Sequence, residues 1–145
     1  MDLKAVIDWL RKQSDVPVWL VGTSRGTQSA AYAAICLTGR DGPDGLVLTS
    51  TILTDSREFS VPALQLDRVR IPVLVVHHVN DGCNHCRYAD ISKLMNKLHN
   101  ASSKELLPVK GGISQGNPCE AYAYHGFNGI ESDVVKKITT GMLEK

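Results

Sequence analysis

The chain has 145 residues, and its 16 basic side chains against 15 acidic ones give a formal net charge of +1. Hydrophobic residues make up 43% and charged residues 21%, which is typical of one soluble globular domain. A nucleic-acid-binding protein would carry a basic excess that this composition lacks, and no apolar run approaches the roughly 20 residues that span a bilayer. We therefore expect a single domain over residues 1–145 that does not bind nucleic acid and has no membrane span.

The predicted elements alternate between helices and strands. Apolar residues at three- and four-residue spacing predict a helix over about 2–13, and a nearly continuous apolar run predicts a strand at 16–21, covered on both faces. The alanine-rich stretch 27–38 predicts a second helix. Further along we expect strands at 46–50, 72–77 and 105–109, and helices near 63–67, 88–98 and 130–142. This order predicts a three-layer α/β fold, an open and mostly parallel sheet of about four strands flanked by helices.

The most informative motif is Gly22-Thr23-Ser24-Arg25-Gly26, which has the form G-x-S-x-G. It lies between a predicted buried strand and a predicted helix, the setting in which such a turn exposes a nucleophilic serine. The turn forces the serine backbone into a strained conformation, so its close-packed neighbours are expected to be glycine. The sequence therefore predicts Ser24 as a nucleophile, with a merely tight turn as the alternative.

A serine hydroxyl needs a base to take its proton, and the base in turn needs an acid to orient it. His125 lies in a long loop after the last predicted strand, from which it could reach Ser24 over the top of the sheet. Asp81 follows the third predicted strand, while Asp55, after the second, is the rival acid. The order Ser24, Asp81, His125 is the chain order of a catalytic triad on this kind of sheet. A structural role in the loop is the alternative for His125.

These motifs together resemble the C-terminal half of an α/β-hydrolase, as found in exported bacterial esterases of the dienelactone-hydrolase type. The resemblance rests on residues 18–26 (VWLVGTSRG), 72–81 (PVLVVHHVND) and 125–127 (HGF). It implies an esterase-like serine hydrolase acting on a small ester or acyl substrate without cofactor or metal. It also implies that the backbone N–H of Arg25 donates one hydrogen bond in the oxyanion hole.

The same resemblance implies that strands beyond the predicted four are missing, together with the loop that supplies a second oxyanion donor. We therefore expect a fragment of a longer hydrolase, a half that assembles with another chain, or a non-catalytic remnant. An unpaired apolar strand at 16–21 invites pairing with a second copy or with a companion N-terminal segment. Assembly through this edge, without catalysis, is the principal alternative function.

Three of the four cysteines lie close in sequence to the predicted triad. Cys83 follows Asp81 and Cys119 precedes His125, so contact between those loops would bring the two thiols within reach of a disulfide. A Cys86–Cys119 bond is the rival, and a zinc site from Cys83, Cys86, Cys119 and a histidine is a third possibility. Cys36 is expected to be a small core residue. A disulfide would indicate a periplasmic or secreted protein, and reduced thiols a cytoplasmic one.

Overall fold

The computed structural model describes residues 3–55 and 59–145. Its regular elements are four α-helices and four β-strands within those ranges. In chain order they are α1 (Leu3–Gln13), β1 (Trp19–Thr23), α2 (Gly26–Cys36), β2 (Gly45–Thr49), β3 (Val73–His78), α3 (Ile91–Lys97), β4 (Lys104–Val109) and α4 (Glu131–Leu143). The predicted alternation of helices and strands is confirmed.

The four strands form one parallel sheet in the order β1-β2-β3-β4. Neighbouring strands pair in sequence order, with Val21 opposite Val47 and Val47 opposite Leu74. Because all strands run the same way, their carboxyl ends lie along one edge of the sheet. The loops that follow β1, β2 and β3 therefore begin side by side, and this edge is where side chains from distant parts of the sequence can meet.

Helices cover both faces of the sheet, which confirms the predicted α/β layering. On one face, buried residues of α2 and α3 pack against β2 and β3 around Leu46, Leu48 and Val75. On the other face, α4 and Phe127 pack against Val47, Leu74 and Val76. The two central strands are buried along their whole length, because each face of them is covered.

The first strand differs from the prediction of a strand covered on both faces. Among the described residues, β1 pairs with β2 alone, so its other side is an open edge of the sheet. The strand begins at Trp19 rather than at Val16, and Val16 and Val21 are 63% and 52% exposed. Trp19 packs against the α4 side of the core, but this cluster does not extend over Val21. The run is therefore only partly covered: Leu20 and Trp19 pack against the core on opposite faces of the sheet, whereas Val16, Pro17 and Val21 are exposed.

Two further predictions are corrected by the fold. The short helix expected near 63–67 is two 3₁₀ turns, Val61–Ala63 and Leu66–Arg68, which bury Val61 and Leu66. Cys36, expected in the core, is exposed at the last position of α2. The alanines of α2 supply the buried face instead. Within the described residues, no helix combines the length and apolar character needed to cross a membrane.

Candidate active site

Ser24 occupies a sharp turn between β1 and α2, as the motif predicts. Its φ of 50° lies in the left-handed region that non-glycine residues rarely adopt. Backbone hydrogen bonds hold this conformation, since the N–H of Ser24 donates to the carbonyl of Thr49 (3.0 Å). The carbonyl of Ser24 accepts from both the N–H (2.9 Å) and the hydroxyl (2.5 Å) of Thr27. The turn is thus fixed from both sides, and the serine side chain leaves the carboxyl edge of the sheet.

The two glycines of the motif are not equivalent. A Cβ atom on Gly22 would lie 2.7 Å from both the Cβ of Ala30 and the carbonyl oxygen of Gly26, a distance that no side chain tolerates. A Cβ on Gly26 would have no neighbour within 4 Å. The expectation that close packing requires glycine on both sides of Ser24 therefore holds for Gly22 and is wrong for Gly26.

The structure brings Ser24, Asp81 and His125 together, from positions as far as 101 residues apart. The Nε2 atom of His125 lies 2.9 Å from Oγ of Ser24, and its Nδ1 atom lies 2.9 Å from Oδ2 of Asp81. An ionised carboxylate only accepts hydrogen bonds, so Nδ1 carries the proton and Nε2 is left to accept from the serine hydroxyl. This is the tautomer in which the imidazole can take the proton of Ser24.

Asp81 is held as an acceptor, whereas the rival acid Asp55 has another partner. The second oxygen of Asp81, Oδ1, accepts the N–H of Cys83 at 2.9 Å, and the residue is 6% exposed. Asp55 instead forms an ion pair with the guanidinium of Arg25. Two carboxylates thus follow the two central strands, but the one that contacts His125 is Asp81.

The loop that carries His125 is held by contacts that the sequence did not predict. The hydroxyl of Ser50, directly after β2, donates to the carbonyl of His125 at 2.6 Å. His78 donates from Nε2 to the carbonyl of Gly111 (2.9 Å) and stacks on Tyr124, with ring centroids 4.4 Å apart. A weak signal existed for His78, which ends a buried strand. None existed for Ser50, because its role depends on a partner 75 residues away.

His77 lies beneath the site and is fully buried. Its Nε2 atom donates to the carbonyl of Cys86 (2.6 Å) and lies 3.7 Å from Oδ2 of Asp81. Its Nδ1 atom has no hydrogen-bond partner among the described residues. Burial lowers the pKa of His77, because the charged imidazolium is costly to remove from water. His77 is therefore a neutral ring packed beside the acid of the site.

Cys83 and Cys119 meet where the loops of Asp81 and His125 come together, as expected from the sequence. The sulfurs of Cys83 and Cys119 lie 2.07 Å apart, which is disulfide geometry and confirms this pair over the rival Cys86–Cys119. Cys86 is a buried free thiol, and burial raises its pKa to about 12. The sulfurs of Cys83 and Cys86 also lie near His125: these two atoms and one ring nitrogen of the histidine are within 4.8 Å of one another.

Ser24, His125 and Asp81 thus form one hydrogen-bonded series, and helix α2 begins beside it. Arg25 stands at the N-cap of α2, directly after Ser24, which is where the expected oxyanion donor belongs. Backbone N–H groups at a helix start favour negative charge. The sequence matches no model of a known protein family and no curated protein.

Proposed function

We propose that the chain is a serine hydrolase of the α/β-hydrolase superfamily, esterase-like, which acts on a small ester or acyl substrate. The observation that carries the proposal is the continuous hydrogen-bonded series from Ser24 through His125 to Asp81, with both distances at 2.9 Å. The strained backbone of Ser24 supports it, since such strain is found mostly where function requires it. The parallel sheet with the site at its carboxyl edge is consistent with that fold.

The reaction follows from which atoms can accept and donate protons. Oγ of Ser24 attacks the substrate carbonyl carbon while Nε2 of His125 takes the hydroxyl proton, and Asp81 stabilises the imidazolium that forms. The tetrahedral intermediate collapses to an acyl-enzyme, and the imidazolium returns its proton to the leaving alcohol. Water then attacks the acyl carbon while Nε2 of His125 takes a proton of that water. The second tetrahedral intermediate collapses, the imidazolium returns this proton to Oγ of Ser24, and the carboxylic acid leaves.

The oxyanion of each tetrahedral intermediate needs donors that are in place before the reaction. We assign the backbone N–H of Arg25 to this role, because it follows the nucleophile at the start of α2. One such donor contributes roughly 10²–10³-fold to turnover in related chemistry. The disulfide beside the site favours an oxidising compartment, periplasmic or extracellular, as the place of action.

A fluorophosphonate probe tests the proposal, because it phosphonylates a serine only where a base activates it. We expect stoichiometric labelling of Ser24, seen as a mass increase on its peptide. Labelling should disappear in Ser24→Ala and in His125→Ala, and it should persist in Ser29→Ala. Ser29 is the matched control, since it is an exposed serine on the adjoining helix. The same variants should rank identically in hydrolysis of p-nitrophenyl acetate.

Two outcomes would contradict the hydrolase. The first is an unlabelled Ser24 in protein whose circular dichroism shows a native fold. The second is labelling that His125→Ala leaves unchanged, because the serine would then not depend on the proposed base. Either result would leave assembly through the sheet edge as the better account of the chain.

The open edge of β1 favours this second candidate function, in which two copies of the chain pair through their first strands. An exposed edge with unpaired backbone groups and an apolar side chain such as Val21 is prone to such pairing. We expect a concentration-dependent dimer by sedimentation, weakened by Val21→Lys and not by Val135→Lys. Val135 is the control because it is similarly exposed, on α4. A monomer at tens of micromolar would refute pairing through this edge.

A further inference from the structure

Cys86 has no role in the proposed chemistry, yet it lies against the groups that perform it. Its sulfur, the sulfur of Cys83 and a ring nitrogen of His125 lie within 4.8 Å of one another, and all three residues are buried. In a tetrahedral site, metal–sulfur bonds of about 2.3 Å and metal–nitrogen bonds of about 2.0 Å place ligand atoms roughly 3.5 Å apart. Shifts of about 1 Å would therefore bring this cluster to ligand geometry.

The disulfide decides whether these ligands are available. While Cys83 is bonded to Cys119, its sulfur cannot act as a thiolate, and only two of the three groups can bind a cation. Reduction changes this. A phosphine reductant cleaves the sulfur–sulfur bond, becomes the phosphine oxide with an oxygen atom from water, and leaves two thiols. Cys83 and Cys86 then form a C-x-x-C pair, the spacing common in structural zinc sites.

We propose that reduction of the Cys83–Cys119 bond converts this cluster into a binding site for one thiophilic divalent cation, of the Zn²⁺ or Cd²⁺ class. Cys83 and Cys86 each release a proton to solvent as they bind, and His125 contributes a nitrogen lone pair. Two thiolate charges balance the dication, so the cation and its two sulfur ligands together carry no net charge. A fourth position remains for water or for the released Cys119 thiol.

The cation would inhibit the hydrolase, a consequence that rests on the proposed function. Both ring nitrogens of His125 are already used, Nε2 by Ser24 and Nδ1 by Asp81. A metal that takes Nε2 removes the base from the serine, and one that takes Nδ1 removes the base from its acid. Either way the proton can no longer pass from Ser24 to His125 with Asp81 in support. The site would therefore switch hydrolysis off when reductant and metal are both present.

Cadmium tests the site without relying on activity, because thiolate-to-cadmium charge transfer absorbs in the ultraviolet. Protein reduced with a phosphine and desalted anaerobically should bind one Cd²⁺ per chain, with a rise in melting temperature. The oxidised protein should show neither. Reduced Cys86→Ala, which lacks one ligand but can still form the disulfide, should lose the melting-temperature rise. Reduced Cys36→Ser should keep it, since Cys36 is an exposed free thiol apart from the cluster.

The melting temperature distinguishes binding by the folded protein from binding by an unfolded chain, because Cd²⁺ bound to unfolded thiols would raise the absorption without stabilising the fold. If reduction alone unfolds the protein, Cd²⁺ should restore native circular dichroism in the wild type and not in Cys86→Ala. The proposal is wrong if oxidised and reduced protein bind Cd²⁺ alike, or if Cys86→Ala matches the wild type.

Fluorophosphonate labelling separates the metal site from the hydrolase. In reduced protein, Cd²⁺ should stop labelling of Ser24, and a chelator should restore it. Labelling that persists with Cd²⁺ bound would refute inhibition while leaving the hydrolase in place. Absence of labelling in the oxidised, metal-free protein would refute the hydrolase, and absorption and melting would still decide the metal site.

Discussion

Replacing Cys119 by serine should lower the free energy of unfolding, because the bond to Cys83 closes a long loop of the chain. The two cysteines are 36 residues apart, and the loop between them includes β4 and the start of the segment that carries His125. Cutting the bond mainly enlarges the set of conformations open to the unfolded chain. The folded loop keeps its other ties, including the hydrogen bond from Ser50 to the carbonyl of His125.

The size of the effect follows from the loop length. For a loop of this size, the chain-entropy relation gives about 4 kcal/mol at 25 °C. Domains of ordinary stability unfold with about 5–15 kcal/mol, so the bond accounts for a quarter or more of the total. The corresponding fall in melting temperature is roughly 10 °C. Turnover should fall by less than about tenfold, since the contacts from His125 to Ser24 and Asp81 remain.

Urea unfolding of oxidised wild type and of Cys119→Ser measures the difference directly. Cys36→Ser serves as the control, because Cys36 is an exposed thiol that forms no disulfide. It should leave the midpoint unchanged. A loss below about 1 kcal/mol in Cys119→Ser would refute the reasoning, since the bond would then constrain the unfolded chain far less than its loop length requires.

Two further predictions concern the groups around Asp81. Asp81→Asn should lower kcat by about 10⁴-fold, because the amide can donate to Nδ1 of His125 and so move the proton of the imidazole to Nε2, which then cannot accept from Ser24. A loss of less than about tenfold in the rate of ester hydrolysis would contradict this. Burial lowers the pKa of His77 below its ordinary 6.5, so the unfolded chain binds more protons at acid pH. The stability that the neutral form of His77 contributes is therefore fully present above pH 6.5, and it is lost as the pH falls from there through the lowered pKa of His77. His77→Asn should flatten that decline in urea unfolding, and an unchanged slope would exclude His77 as its source.

Much of the fold was predictable because its strongest signals are local. The apolar runs of β2 and β3 are covered on both faces, so their sequence states their environment directly. The same reasoning holds only in part at β1, where Trp19 and Leu20 pack against the core but Val21 is exposed at the open edge. It failed at Cys36, because a helix of alanines carries too little contrast to show which side faces the core.

The residues that meet at the site were predictable, and the contacts that hold them in place were not. The G-x-S-x-G turn, the acid after a strand and the loop histidine have known positions relative to the strands, so Ser24, Asp81 and His125 could be named in advance. Ser50 and the His78–Tyr124 stack could not. Their contribution is to hold a loop at a distance set by tertiary packing, which no spacing in the sequence records.

Three non-glycine residues of the described chain have positive φ angles, and all three border the site: Ser24 (50°), Ser50 (45°) and Phe127 (58°). Each such residue costs about 1–3 kcal/mol. Their sum is comparable to the roughly 4 kcal/mol that the disulfide contributes by closing its loop. Glycine adopts this conformation without that cost, yet glycine at position 24 or 50 would remove the hydroxyl that contacts Nε2 of His125 or the hydroxyl that donates to its carbonyl. The disulfide between the two loops thus offsets the cost of the backbone conformations that surround His125, so a variant without the bond would have less stability left to maintain them.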